Sequence, residues 1–162
     1  MANLLTTAPL AFSTLYNLFV AAGAAQTPTI PVMAQELLQY EPGSYVCLTG
    51  LEHHNFEWSA LGTFAFEEDY DIVGYATFLT GNVDVEAVIA GTFSVFQDVV
   101  QTTVVANRNP PISAALQTAG VTRIIPKFAR YSSSPGTFGG GQGGFQGTVD
   151  FAYSVHARIT VS

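Results

Sequence analysis

Charged side chains are scarce, at 10% of 162 residues, against about 25% in a typical soluble domain. A lone subunit of this size needs more charge to stay dispersed, so part of the surface is expected to be covered by other copies of the chain. The bland counter-reading is a neutral surface rich in Thr, Ser, Gln and Asn. There are five basic residues, Lys127 and four arginines, against twelve acids, for a net charge of −7. No basic patch can form, which excludes proteins that grip nucleic-acid phosphates. An acidic surface suits the reverse task of lining a passage in which DNA slides without sticking. Cysteine is nearly absent too. Cys47 is alone, so neither an intrachain disulfide nor a thiolate zinc cluster can be built. It lies in an apolar, strand-like run, where a buried and inert thiol is expected.

The motifs of several chemistries are missing as well. There is no H-E-x-x-H and no G-x-S-x-G. The stretch FGGGQGGFQG, Phe138 to Gly147, holds six glycines in ten residues. A phosphate-binding loop needs a following Gly-Lys-Ser/Thr and a helix, and here no lysine follows and the chain enters a strand. Gly139, Gly141 and Gly144 match G-x-G-x-x-G by letter, as a run this rich in glycine will by chance. What is expected is a flexible Gly/Ser-rich loop over 132–147, with Phe138, Gly140, Gly144 and Phe145 as candidate partner-contact positions: slack backbone carrying two aromatic anchors orders readily against a partner. Glu52, His53, His54 and Glu57 hint at a metal site. Adjacent residues on a strand point to opposite faces, however, so the two histidines cannot share an ion there, and no metal, cofactor or catalytic residue is assigned. The acids of EEDYD (Glu67, Glu68, Asp69, Asp71) read first as a solvated loop and second as a charged rim or channel lining.

The apolar residues set the elements. Thr6-Thr7-Ala8-Pro9 starts a helix expected to run to about Ala22, with Gly23 at its end. The 18 uncharged residues Ala8–Ala25 approach a membrane span in length. No Lys or Arg precedes them, and Ser13, Thr14 and Asn17 share one side while Leu15, Leu18, Phe19 and Ala22 share another, which favours an amphipathic helix over a span or leader. Helical turns are expected in Ala34–Tyr40, and strands in Ser44–Gly50, Ala60–Phe66 and Ile72–Leu79. A long helix is expected from Asp84 to Asn107, because Val85, Val88, Ile89, Phe96, Val99 and Val100 recur at helical spacing, with a gap near 92 and 93; Asn82 is the expected cap. A short helix over Ile112–Ala119 closes at Gly120. Val121–Tyr131 is expected as an edge or bulged strand because Pro126 interrupts it. The last strand is the clearest: Val149, Phe151, Tyr153, Val155, Ala157, Ile159 and Val161 alternate with Asp150, Ala152, Ser154, His156, Arg158 and Thr160. A strand of this length can pair with a neighbouring subunit, with Asp150, His156 and Arg158 as candidate contacts. The sum is one α+β domain, residues 1–162: a mostly antiparallel β-sheet with an N-terminal helix and a long central helix packed on one face.

In element order and texture the chain resembles the tail terminator proteins of long-tailed bacteriophages (siphophages). The resemblance is carried by LAFSTLYNLF, YVCLTGLEHHNFEW, EEDYDIVGYATFL, VEAVIAGTFSVFQDVVQTTVVANR, RIIPKFARY and VDFAYSVHARITV, and covers nearly the full length. It implies a virion protein of the tail and neck, assembled in the host cytoplasm. It implies a homo-hexameric ring that stops the tail tube and offers a surface for head-tail joining, with the tail tube protein and a head completion or neck protein as partners. DNA would pass through without specific binding, and no catalysis, cofactor or membrane is implied. Other readings stay open. A different neck, tail-tube or baseplate subunit would form filaments or other assemblies. A small α+β enzyme would need a polar cluster that His53, His54, His156 and scattered acids do not make. A secreted or tethered adhesion domain would use residues 1–25 as leader.

Overall fold

The computed structural model describes residues 6–34, 44–58, 65–81, 84–106, 113–137 and 143–160. The first element is helix α1, Ala8–Ala24, with Pro9 in its first turn where a missing N–H costs nothing. Ala8, Ala11, Leu15 and Phe19, spaced by three and four, are its buried stripe, and Ser13 and Asn17 are exposed. The amphipathic reading of this segment therefore holds. The expected turns at Ala34–Tyr40 and most of the strand at Ala60–Phe66 lie outside the described residues.

Strands β1 (Val32–Met33), β2 (Ser44–Trp58), β3 (Ala65–Thr80), β4 (Val121–Thr137) and β5 (Gly143–Thr160) form one sheet in the order β1-β2-β3-β5-β4. The four long strands pair antiparallel, and the short β1 adds parallel to β2 at Val46 and Cys47. Two expectations are corrected here. EEDYD is strand, not loop, and β2 runs on past the expected end at Gly50 through LEHHNFEW: Glu52 pairs Asp71 and Asp69 pairs His156. Low strand propensity for acids is overridden by pairing on both sides of β3. The expected loop over 132–147 is also strand wherever it is described. Ser132 pairs Thr148, Pro135 pairs Phe145 and Thr137 pairs Gly143, so β4 and β5 make one long hairpin.

Between β3 and β4 runs helix α2, Val85–Ala106. Asp84 caps it by accepting from the Glu86 N–H, in place of the expected Asn82, which lies outside the described residues. The helix is α from Val85 to Val95, π from Phe96 to Gln101, and α again from Thr102. The gap in the apolar spacing at 92 and 93 precedes the π turn: the buried position there is filled by Thr92, and Phe93 is exposed. Before the π turn, Val88, Thr92 and Val95 face the sheet. The extra residue in the turn then resets the face, so that Phe96, Val99, Val100, Thr103 and Val104 are buried in succession. Val85 and Ile89, expected on the buried face, are exposed. Helix α3, Ala114–Ala119, is capped by Ser113 and closed by Gly120 at φ 109°, the left-handed position that favours glycine. The Gly120 carbonyl then accepts from the Arg158 N–H at 2.8 Å.

Helices α1 and α2 cover one face of the sheet, as an α+β fold requires. The odd residues of β5 and the even residues of β3 point into this layer: Val149, Phe151, Tyr153, Val155 and Ala157 beside Tyr70, Ile72 and Ala76. Phe151 is the centre, with Phe19 of α1 edge-on at 6.4 Å and Phe96 of α2 at 5.7 Å. Burying such a ring contributes on the order of 2–3 kcal/mol. Cys47 is fully buried, as expected for an inert thiol.

Candidate functional site

The acids of β3 alternate between the two faces, and that alternation separates their roles. Glu68 points into the helix layer and is fully buried. It accepts from the Thr7 N–H at 3.0 Å and from the Thr6 and Thr7 hydroxyls, and faces His53 Nε2 at 3.4 Å. This carboxylate ties the start of α1 to the sheet, and the negative charge suits a helix N-terminus. The Thr7 hydroxyl also meets Tyr70 Oη at 2.9 Å. Burial, reinforced by the Glu68 charge, drives the Tyr70 hydroxyl pKa well above its ordinary value, against the opposing hydrogen bond from Thr7.

Asp71 lies on the other face, away from the helices, at 2% exposure. One oxygen accepts from Ser154 Oγ at 2.6 Å. The other takes Lys127 Nζ at 2.5 Å and His54 Nε2 at 2.8 Å. Burial alone would raise its pKa; the hydrogen bonds from Lys127, Ser154 and His54, with the His54 charge, outweigh it and hold the carboxyl below its ordinary value. On the same face Asp69 is bonded to His156 Nδ1. Each of the three histidines thus meets a carboxylate of one strand, and neighbours His53 and His54 go to opposite faces, as strand alternation dictates. Glu52, His54 and Asp71 place ligand-type atoms within 4.8 Å of one another. The Lys127 ammonium already neutralises Asp71 there, so the cluster reads as an ion-paired network.

The candidate channel lining is therefore reduced. Glu68 and Asp71 are buried and bonded and cannot line a passage, while Glu67 and Asp69 are half-buried on the open face. Of the candidate contact loop, Phe138 and Gly140 lie outside the described residues, and Gly144 (buried) and Phe145 (half-buried) belong to β5. The candidate inter-subunit strand is corrected too. β5 is paired by β3 on one side and β4 on the other, so its backbone is not available to a neighbour. Asp150, His156 and Arg158 sit on the open face beside Arg130, Arg123 and Glu67 respectively.

The available edge is β4. It is bulged between Val121 and Arg123 and between Pro126 and Phe128, as Pro126 foretold, and no described strand lies on its outer side. Ile125 and Phe128 are 46% and 44% exposed, and Arg130 lies over the Phe128 ring. Between β4 and the second half of α2 runs a groove of about 760 Å³, bounded by Phe96, Val104 and Val105 on the helix and by Ile124, Pro126 and Phe128 on the strand. Tyr153 lies at its floor, its hydroxyl pushed up to about 12 by burial. Among the described residues, no carboxylate, imidazole or thiol lines this groove; its polar lining includes Arg123, Lys127 and the Tyr153 hydroxyl. The sequence signal for this region is Pro126 in an otherwise apolar, basic strand; the exposure of Phe128 has no counterpart in the sequence pattern. No protein-family model matches the chain, and a search of curated proteins finds no match.

Proposed function

We propose that this chain is a structural, non-catalytic subunit that assembles with itself, and that its assembly is the ring of a tail terminator in a long-tailed bacteriophage. The observation that carries the self-assembly is the β4 edge: a 17-residue strand with no described strand on its outer side and exposed Ile125 and Phe128, on a chain poor in charge. Bare edges are ordinarily blunted in a monomer, and adding a neighbour's strand satisfies their N–H and C=O groups. The chain does place three cations, Arg123, Lys127 and Arg130, along this edge, which discourages indiscriminate pairing. The terminator identity rests on the resemblance in element order. In this reading the ring caps the tail tube, receives the head side, and lets DNA through past Glu67 and Asp69.

The experiment is size-exclusion chromatography with light scattering, followed by negative-stain microscopy of the purified chain. Discrete rings are expected, and addition to polymerising tail tube protein should cap its growth. Long filaments of this chain alone would point to a tube subunit instead. A compact monomer at every concentration would overturn the proposal.

A further inference from the structure

We infer that copies of this chain join head to tail, the β4 edge of one against the β2 edge of the next, around an axis running along the strands. The inference rests on the self-assembly proposed above and adds which surfaces meet. Strand direction is the first argument. Because β2–β3, β3–β5 and β5–β4 are all antiparallel, β2 and β4 at the two sides run in opposite directions. Rotating a copy about an axis parallel to the strands keeps every direction, so β4 meets the next β2 antiparallel and the alternation continues through the joint. A heterologous joint of this kind gives a ring when its rotation closes and an open filament when it does not, and the ring is the assembly proposed above. β1 covers β2 only at Val46 and Cys47, and no other described strand lies on that side.

Charge is the second argument, and it chooses between this joint and a two-fold one. Three of the five basic residues sit on β4, and of these Arg123 and Arg130 are exposed and pair across to His156 and Asp150 on the open face. β2 carries no lysine or arginine, and its His54 is taken up by Asp71 of the same chain; it carries Glu52, exposed and on that same open face opposite Asp71, and Glu57. A β4–β4 contact would set arginines against their own images, and like charges across strands are destabilising. A β4–β2 contact sets cations against acids. The cross-sheet row Glu52, Asp71, Ser154, Ile125 shows the register: a stagger of two residues, which keeps the faces, brings Glu52 opposite Arg123 of the next copy. In a closed sheet such a stagger goes with strands tilted to the axis, a tilt that leaves the antiparallel alternation intact.

The test uses light scattering on the full chain at matched concentration, with circular dichroism to confirm an unchanged fold. The variants are Arg123→Glu with Arg130→Glu on β4, Glu52→Lys with Glu57→Lys on β2, and all four together. Each pair alone should lose the ring, and the fourfold variant, with the charges exchanged, should regain it. A β2 pair that assembles like the wild type, or a fourfold variant that stays apart, overturns the head-to-tail joint. Should a reversal disturb the fold, Arg123→Gln with Arg130→Gln must still raise the concentration needed for assembly; an unchanged threshold overturns the inference. A wild-type chain that is monomeric sinks the self-assembly itself, whereas rings that ignore every edge variant sink only this choice of surfaces.

Discussion

Gly147 lies where a flexible loop is expected from composition, yet it is one of the closest approaches between helix and sheet. A Cβ added there would sit 1.9 Å from Thr92 Oγ1 and 3.1 Å from both Thr92 Cβ and Val88 Cγ1. Thr92 cannot easily step aside. It is fully buried, and its hydroxyl donates to the Val88 carbonyl at 2.6 Å inside α2. Gly147→Ala must therefore push α2 off β5 or break that bond. Overpacking of this kind costs about 1–3 kcal/mol. With a urea slope of about 2 kcal/mol/M for a domain of this size, the unfolding midpoint should fall by about 0.5–1.5 M. The control is Gly143→Ala in the same glycine-rich stretch, where an added Cβ meets nothing within 4 Å. It should be neutral or stabilise by up to about 1 kcal/mol, through the unfolded chain. Combining Gly147→Ala with Thr92→Ala should recover part of the loss, since the nearest atom is gone. Equal midpoints for Gly147→Ala and Gly143→Ala would refute the docking of this segment against α2.

Asp71→Asn should destabilise by about 1–2 kcal/mol at pH 7, the modest end for a hydrogen-bonded carboxylate because Lys127 and His54 are nearly half exposed and screened. Its carboxyl is more acidic folded than unfolded, so its contribution is full above pH 3.8 and fades as pH falls through the lower folded value; urea midpoints of the two proteins should converge in acid. Tyr153 is displaced the other way, to about 12. Its contribution is present below pH 10 and is lost on rising towards 12, so Tyr153→Phe should flatten the alkaline fall in melting temperature, a change that an unaltered slope would contradict. Cys47 should react with a thiol reagent only at the rate at which the fold opens, and a fast native reaction would deny its burial.

What was legible in the sequence was what local spacing controls. Alternation from Val149 to Ala157 marked a strand with the right inward residues, and the helical spacing around Leu15 and Phe19 marked two members of the buried stripe, with Leu18 and Ala22 half-buried beside them. Gly120 and Pro126 marked a left-handed cap and a bulged edge, because each position admits few residue types. What was hidden depends on pairing across the chain. Glu68 and Asp71 look like solvated loop acids until Thr6 and Thr7 are brought to one and Ser154 and Lys127 to the other. Their partners lie between 56 and 83 residues away in sequence. The glycine-rich stretch misled for a related reason: small residues signal slack only where nothing packs on them, and here α2 packs on Gly147. The gap at 92 and 93 has a polar cause, since Thr92 is buried where an apolar residue is expected, and the π turn from Phe96 to Gln101 left no mark in the spacing.

The position of β5 governs the timing of synthesis. Sitting between β3 and β4, it supplies a ladder partner to both, yet it leaves the ribosome after either. Ala65 must wait for Thr160 before it can pair, and contacts of such sequence separation form late and slowly. The β4 ladder, by contrast, starts at the hairpin, with Thr137 opposite Gly143, so β5 can zip onto β4 and then close β3, and the sheet is completed last at the end where Ala65 meets Thr160.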